Sequence, residues 1–289
     1  MNDSLYMTFI SCLPRKTVAR AIGGVAEWEG NSAFSRGLAR YFAGKFQLNM
    51  DEAEFPLEHY PNLLSLFTRR LKPGARPIDP DPAVVVSPVD GVMSEHGPIE
   101  GNTCTQVKGK TFTVDELLGG EARGQVYHGG HFMTIYLSPR HYHRIHTPVA
   151  GEIVRYQHLP GHLFPVNAPS VRTVDKLFAV NERLTSFVRM GGVGAPEVAV
   201  IKVGAIGVGR IRLAYAELAT NQKGQQPLEV NLEPSPPIQK GGELGVFELG
   251  STVVMLFPPG LVQLADIPVG QEVKLGQPIA TLNTALNKP

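Results

Sequence analysis

The chain has 289 residues, 43% of them hydrophobic and 18% charged, with a formal net charge of +1. It is long enough to bury a substantial core in one or two domains and too apolar to stay disordered, and its near-zero charge excludes bulk nucleic-acid binding. Two cysteines, Cys12 and Cys104, stand far apart without metal-ligand spacing, so the expectation is no disulfide framework and a reducing compartment. The longest apolar runs, such as Val253–Phe257, have the length of a strand and fall well short of the ~20 residues of a membrane-spanning helix. The opening Met1-Asn2-Asp3-Ser4 lacks the basic and apolar pattern of a secretory leader, which points to a protein kept inside the cell.

In chain order, Asn2-Asp3-Ser4 can cap a helix carrying Leu5, Phe9 and Leu13 on one side. Ser32 through Asn49 places Phe34, Leu38, Tyr41, Phe42 and Phe46 at helical spacing, and Asn62 through Leu71 predicts a third helix. Between positions 15 and 45, Arg15, Lys16, Arg20, Arg36, Arg40 and Lys45 outnumber Glu27 and Glu29, and the only tryptophan, Trp28, sits among them. Such helices can lie in a membrane interface. They can equally cap the domain that follows, and composition alone favours the cap.

Beyond Pro73-Gly74 the pattern changes to strands, expected at Ala83–Val86, His131–Leu137, Glu152–Tyr156, Val198–Val203, Ile206–Leu213 and Thr252–Phe257. Thr113–Leu118 is the one short helix expected there, with Thr113 as its N-cap. The fold class that follows is α+β: a helical region over 1–72 and an antiparallel-dominated β core over 73–289.

Three places could carry chemistry. Ser87-Pro88-Val89-Asp90-Gly91 puts a carboxylate at a strand end, which by itself is turn chemistry. Arg140-His141-Tyr142-His143-Arg144-Ile145-His146 gathers three histidines in six positions. The adjacent arginines and the lack of HExxH or CxxC argue against a metal, and general acid–base work suits imidazoles better. Leu249-Gly250-Ser251-Thr252 lacks the second glycine of a nucleophile elbow and alone reads as a bulge or turn. Yet a serine hydroxyl can attack the carbonyl before it, and a preceding glycine adds no bulk at that carbon.

These stretches, with Tyr136-Leu137-Ser138-Pro139-Arg140 and the Pro160-Gly161, Leu163-Phe164 and Val166-Asn167 segment, stand in an order and spacing that resembles the prokaryotic-type phosphatidylserine decarboxylase proenzymes. The resemblance implies self-cleavage at Gly250-Ser251 into a β chain, 1–250, and an α chain, 251–289, that stay together. Asp90, His146 and Ser251 would be the self-processing triad, with His146 as base and Asp90 fixing its tautomer. Ser251 would become a pyruvoyl group that holds phosphatidylserine as a Schiff base, His143 would transfer the proton in decarboxylation, and no metal is implied. Leu163, Phe164 and Asn167 are candidate substrate contacts. His141 and His162 depart from the family pattern, which has acidic residues there.

With a lipid substrate, the helical region is better read as a docking element for an anionic phospholipid membrane, peripheral at the cytoplasmic face of the inner membrane; a homodimer is left open. Three rivals remain at this point, a pyruvoyl decarboxylase of a soluble amino acid, a binding module, and a metal-dependent hydrolase built on His141, His143 and His146, which chelators would inactivate. The second arises because Val269–Ala280 resembles the hairpins of biotinyl and lipoyl carriers, implying a core like a barrel-sandwich hybrid. No Met-Lys pair marks that hairpin, so the likeness is one of fold.

Overall fold

The structure is a computed structural model and describes residues 14–30, 32–206, 210–248 and 251–283. The expected helix with Leu5, Phe9 and Leu13 lies outside the described residues, as does Gly250. Helix α1 (Arg15–Glu27), which no separate sequence signal predicted, is followed by α2 (Ser32–Phe46) and α3 (Leu63–Phe67). Helix α2 stops before Asn49 because Gln47 adopts a left-handed φ of 52°. Gln47 N then bonds Gly44 O and Leu48 N bonds Ala43 O, which closes the helix end as a Schellman turn. Asn62 caps α3, in a capping box with Ser65. The helix ends at Phe67 and not at Leu71, because Leu71 pairs with Ala53 in an isolated antiparallel bridge.

Ala39 and Ala43 of α2 pack with Leu48, Tyr60 and Leu66 in a small core of their own. Larger apolar side chains of α1, α2 and the link between them, Ile22, Val25, Trp28 (49% exposed), Phe34 and Tyr41 (63% exposed), face outward. No helix among the described residues is long and apolar enough to cross a membrane.

The strands begin with β1 (Val84–Val86), β2 (Gly91–Pro98), β3 (Thr103–Val107) and β4 (Lys110–Thr113). Helix α4 (Val114–Leu118) follows, capped by Thr113 as the sequence predicts: Glu116 N donates to the Thr113 hydroxyl while Thr113 N donates to the Glu116 carboxylate. Then come α5 (Glu121–Gly124), β5 (His131–Tyr136), β6 (Arg144–His146), β7 (Gly151–Leu159), α6 (Ala168–Thr173), α7 (Leu177–Val180), β8 (Arg183–Arg189) and β9 (Glu197–Val203). The last stretch holds β10 (Ile211–Leu213), β11 (Leu228–Asn231), β12 (Pro237–Ile238), β13 (Glu243–Phe247), β14 (Thr252–Phe257), β15 (Val262–Leu264), β16 (Glu272–Val273) and β17 (Pro278–Leu282). The strand expected over Ile206–Leu213 is thus confined, among the described residues, to Ile211–Leu213.

A nine-stranded sheet runs β11-β7-β8-β9-β14-β5-β2-β16, with β12 beside β7, and two three-stranded sheets have the orders β1-β17-β15 and β10-β13-β6. Pairings are antiparallel throughout these sheets. The large sheet runs from edge to edge without closing, so the α+β, antiparallel reading holds and no closed barrel forms among the described residues. Strand β14 lies between β5 and β9 with all six residues buried, which is why Val253–Phe257 reads as an unbroken apolar run.

Candidate active site

Ser251 immediately precedes β14 and is fully buried. Its carbonyl accepts from Leu137 N at 2.7 Å, and its hydroxyl has no partner among the described residues. On the other side of the 249–250 link, Phe247 N donates to His143 O at 2.9 Å. The chain before the expected cleavage point is therefore tied to His143, and the chain after it to Leu137, three residues ahead of the histidine segment.

A carbonyl can only accept, so the contacts of the two fully or largely buried rings fix their tautomers. His143 Nδ1 donates to His141 O at 2.8 Å, and its Nε2 is left as a buried lone pair without a partner among the described residues. The ring packs on Phe67 with centroids 3.9 Å apart. Burial, assisted by the charge of Arg69, pushes the His143 pKa well below the ordinary histidine value. His146 Nδ1 donates to Gly241 O at 2.7 Å, while the Tyr142 hydroxyl, 3.3 Å away, donates to its Nε2. Burial lowers the His146 pKa as well, against the opposing pull of the Gly241 carbonyl and the charges of Glu243 and Asp90. In the neutral form both imidazoles therefore carry their proton on Nδ1 and present Nε2 as an acceptor.

Asp90 lies where β2 meets β5 so closely that a Cβ on Gly91 would come within 2.5 Å of the Ile135 side chain and 2.7 Å of Tyr136 O. Only glycine fits after the aspartate. The Asp90 carboxylate accepts from Arg76 Nε (2.8 Å), Arg76 Nη2 (2.5 Å) and Leu275 N (2.9 Å), and Arg76 Nη2 also donates to Glu52 at 2.8 Å. Among the described residues no hydrogen bond joins Asp90 to His146, or either of them to Ser251. Asp90 reaches His146 through its charge, and the Gly241 carbonyl orients the ring.

The Pro160–Asn167 segment turns at Gly161, where a Cβ would lie 2.6 Å from Asn181 C and Glu182 N. The Asn181 side chain then grips Phe164, accepting from its N at 3.0 Å and donating to its O at 2.9 Å. Leu163 is buried, and Phe164 is half-buried under the Arg15 guanidinium, 3.9 Å from the ring centroid. Asn167 caps α6 and lines a cleft of about 310 Å³ that Ile22, Phe42, Phe67, Tyr136 and Leu137 also line. Leu163 and Phe164 stay outside that cleft. Through Leu137 and Phe67 its wall touches the partners of Ser251 and His143.

The profile of the family described as phosphatidylserine decarboxylase matches residues 63–281. The chain belongs to that family. It is 43% identical over 284 residues to the phosphatidylserine decarboxylase proenzyme of Myxococcus xanthus strain DK1622, covering 98% of this chain and 100% of that protein. The proenzymes of Brevibacillus brevis strain 47 and Anaeromyxobacter sp. strain K are 41% and 40% identical, across 97% and 96% of this chain and 99% of each relative.

Set among phosphatidylserine decarboxylases, the site contains residues that sequence reasoning missed. Arg76, Arg69 and Phe67 touch or electrostatically bias the candidate aspartate and histidines, and only tertiary packing brings them there; Tyr142, which donates to His146, stands within the histidine segment itself. Their types gave no local signal, since an arginine before Pro77 or the Arg69-Arg70 pair after Thr68 has many ordinary uses. Among the described residues, no three His, Cys, Asp or Glu side chains group in a way that could hold a metal ion.

Proposed function

We propose that this chain is a proenzyme that cuts itself between Gly250 and Ser251 and, as the resulting two-chain enzyme, converts phosphatidylserine to phosphatidylethanolamine and carbon dioxide. The reading rests on Ser251: a buried hydroxyl without a partner among the described residues, on a residue bonded to Leu137 just ahead of the histidine segment, in a member of this family. In the cut, a neutral imidazole takes the Ser251 hydroxyl proton and the oxygen attacks the Gly250 carbonyl carbon. The Gly250–Ser251 C–N bond breaks, an ester forms, and the freed Ser251 amine receives the proton. Elimination across Cα–Cβ of residue 251 releases Gly250 as a carboxylate and leaves a dehydroalanine. Tautomerisation to the imine and hydrolysis then expel ammonia and leave a ketone at the new N-terminus.

The surroundings suit a group formed there, because Thr252 Oγ1 and His143 Nε2 are buried polar atoms without partners among the described residues. When formed, the pyruvoyl group supplies a carbonyl that captures the substrate amine and accepts the electron pair left by carbon dioxide. His143 is the group we assign to proton return, because its buried Nε2, without a partner among the described residues, can take up a proton and pass it on. His146 is assigned the role of base in the cut, with the Asp90 charge favouring the imidazolium that results. One observation favours a second reading, in which His143 is the base for both steps: its bare Nε2 acceptor complements the bare Ser251 donor, whereas His146 Nε2 is occupied by Tyr142.

The cleft lined by Ile22, Phe42, Phe67 and Leu137 suits the apolar part of a lipid. The outward aromatic and basic residues of α1 and α2 suit peripheral docking on an anionic leaflet at the cytoplasmic face of the membrane. A soluble amino-acid substrate would use neither feature. Denaturing mass spectrometry of the purified protein tests the central claim. Two chains are expected, the smaller starting at residue 251 without a free amine, and a single intact chain with full decarboxylase activity would overturn it.

A further inference from the structure

On the far side of the histidine segment, a polar cleft of about 190 Å³ opens beside Asp90, with Arg69, Arg76, Arg140, His141 and Lys274 among its lining residues. We propose that this cleft is a binding site for a phosphate-type oxyanion, separate from the Ser251 cleft and additional to the decarboxylase activity.

Two buried donors on residues that line it lack acceptors among the described residues. His141 Nδ1 accepts from Ser138 N at 3.0 Å, which places the proton of the neutral ring on Nε2. That Nε2–H has no hydrogen-bond partner among the described residues; the nearest carboxylate oxygen, on Glu272, is 3.8 Å away and already engaged by Arg140. Arg69, 4% exposed, spends its terminal nitrogens on the carbonyls of Leu66, Arg140 and His141, and its Nε–H is also unpartnered among the described residues. Buried donors in proteins are almost always satisfied, so two of them around one cleft point to a ligand that accepts.

Charge points the same way. Arg76 is paired with Asp90 and Glu52, Arg140 with Glu272, and Lys274 stands 3.7 Å from Glu52. Arg69 alone among the lining cations has no carboxylate within 4 Å among the described residues. Asp90, which would repel an anion, has its oxygens committed to Arg76 and Leu275 N. Bidentate or multiple N–H donation from arginine and imidazole is the chemistry that recognises phosphate oxygens. The source can be a phospholipid headgroup or free phosphate. Gln47 and Asn49, which also line the cleft, directly follow α2 and so place it next to the helix proposed to meet the membrane.

The test titrates the full-length protein with inorganic phosphate at constant ionic strength by calorimetry, and in parallel measures co-sedimentation with phosphatidylglycerol vesicles against phosphatidylcholine vesicles. Removing one charge-assisted donor in His141→Ala is expected to weaken binding by about tenfold or more, and Arg69→Gln, if its circular dichroism is native, by at least as much. Loss of phosphate affinity in the variants supports the site with free phosphate as occupant. Loss of phosphatidylglycerol binding without any phosphate response supports it with a headgroup as occupant. The proposal is overturned if His141→Ala binds both probes as wild type does, or if wild type binds neither. Because turnover is not read, this outcome is independent of whether the chain decarboxylates phosphatidylserine.

Discussion

His143 and His146 differ in what holds them, and that difference should separate their variants. The His143 ring is buried on Phe67 with no partner for its Nε2 among the described residues, whereas His146 is held between Gly241 O and the Tyr142 hydroxyl. His146→Ala is expected to leave the chain uncut, and His143→Ala to be cut at least partly while turnover falls by roughly 10²–10⁴-fold; gel analysis and a carbon dioxide assay on the same preparations decide this. An uncut His143→Ala chain beside a cut His146→Ala chain would favour the second reading, with His143 as base. Ser251→Ala should remain one inactive chain. Acid stability follows from the same burial. Burial holds His141 down to about 4, against an ordinary value of 6.5. Between those values the unfolded chain takes up the proton first, so the stability contribution is complete above pH 6.5 and is lost as pH falls toward 4. Its size is on the order of 3 kcal/mol, and urea midpoints measured from pH 7 to pH 4 should decline less steeply for His141→Gln than for wild type. At this scale the sequence marks out the candidate residues, because the histidine cluster and Gly250-Ser251 are contiguous. It does not reveal that Asp90 is gripped by Arg76, since that pair forms only when the 73–79 segment folds back over β2.

The element that positions Asp90 is the β2–β5 contact at Gly91. Gly91→Ala would drive a methyl into Ile135 and Tyr136 O, and is expected to lower stability by about 1–3 kcal/mol, read as a reduced urea midpoint. For the helices, Arg36, Arg40 and Lys45 are exposed on α2 and contribute up to ~1 kcal/mol each near an anionic surface. Replacing all three with glutamine should weaken binding to anionic vesicles by up to ~100-fold at low salt and by much less at high salt. The residual binding in salt should come from Trp28, Phe34 and Tyr41. Indifference to lipid charge and to salt would return these helices to a packed cap. Elements with a strong local signal were legible: β14 from its apolar run, and α4 and α3 from their caps. Helix α1 was not, because small residues such as Ala19 and Ala26 make its buried side and the aromatics lie outside. The end of α3 was not either, since the Leu71–Ala53 bridge is a tertiary contact.

Across the whole molecule, the proposed cut falls in the link between β13 and β14, and these strands belong to different sheets. The segment after it contributes β14 to the middle of the large sheet, β16 to that sheet's edge and β17 between β1 and β15. The pieces are therefore expected to co-elute in native size exclusion and to separate only in denaturant. Scission at that point unzips no ladder, so the peptide bond 250–251 is dispensable as a tether and is consumed as a reagent. Two separately expressed pieces, 1–250 and 251–289, should for that reason reassemble into a folded but catalytically silent pair. The second piece would begin with an ordinary serine amine, and no carbonyl carbon would be left to attack that could turn it into a ketone.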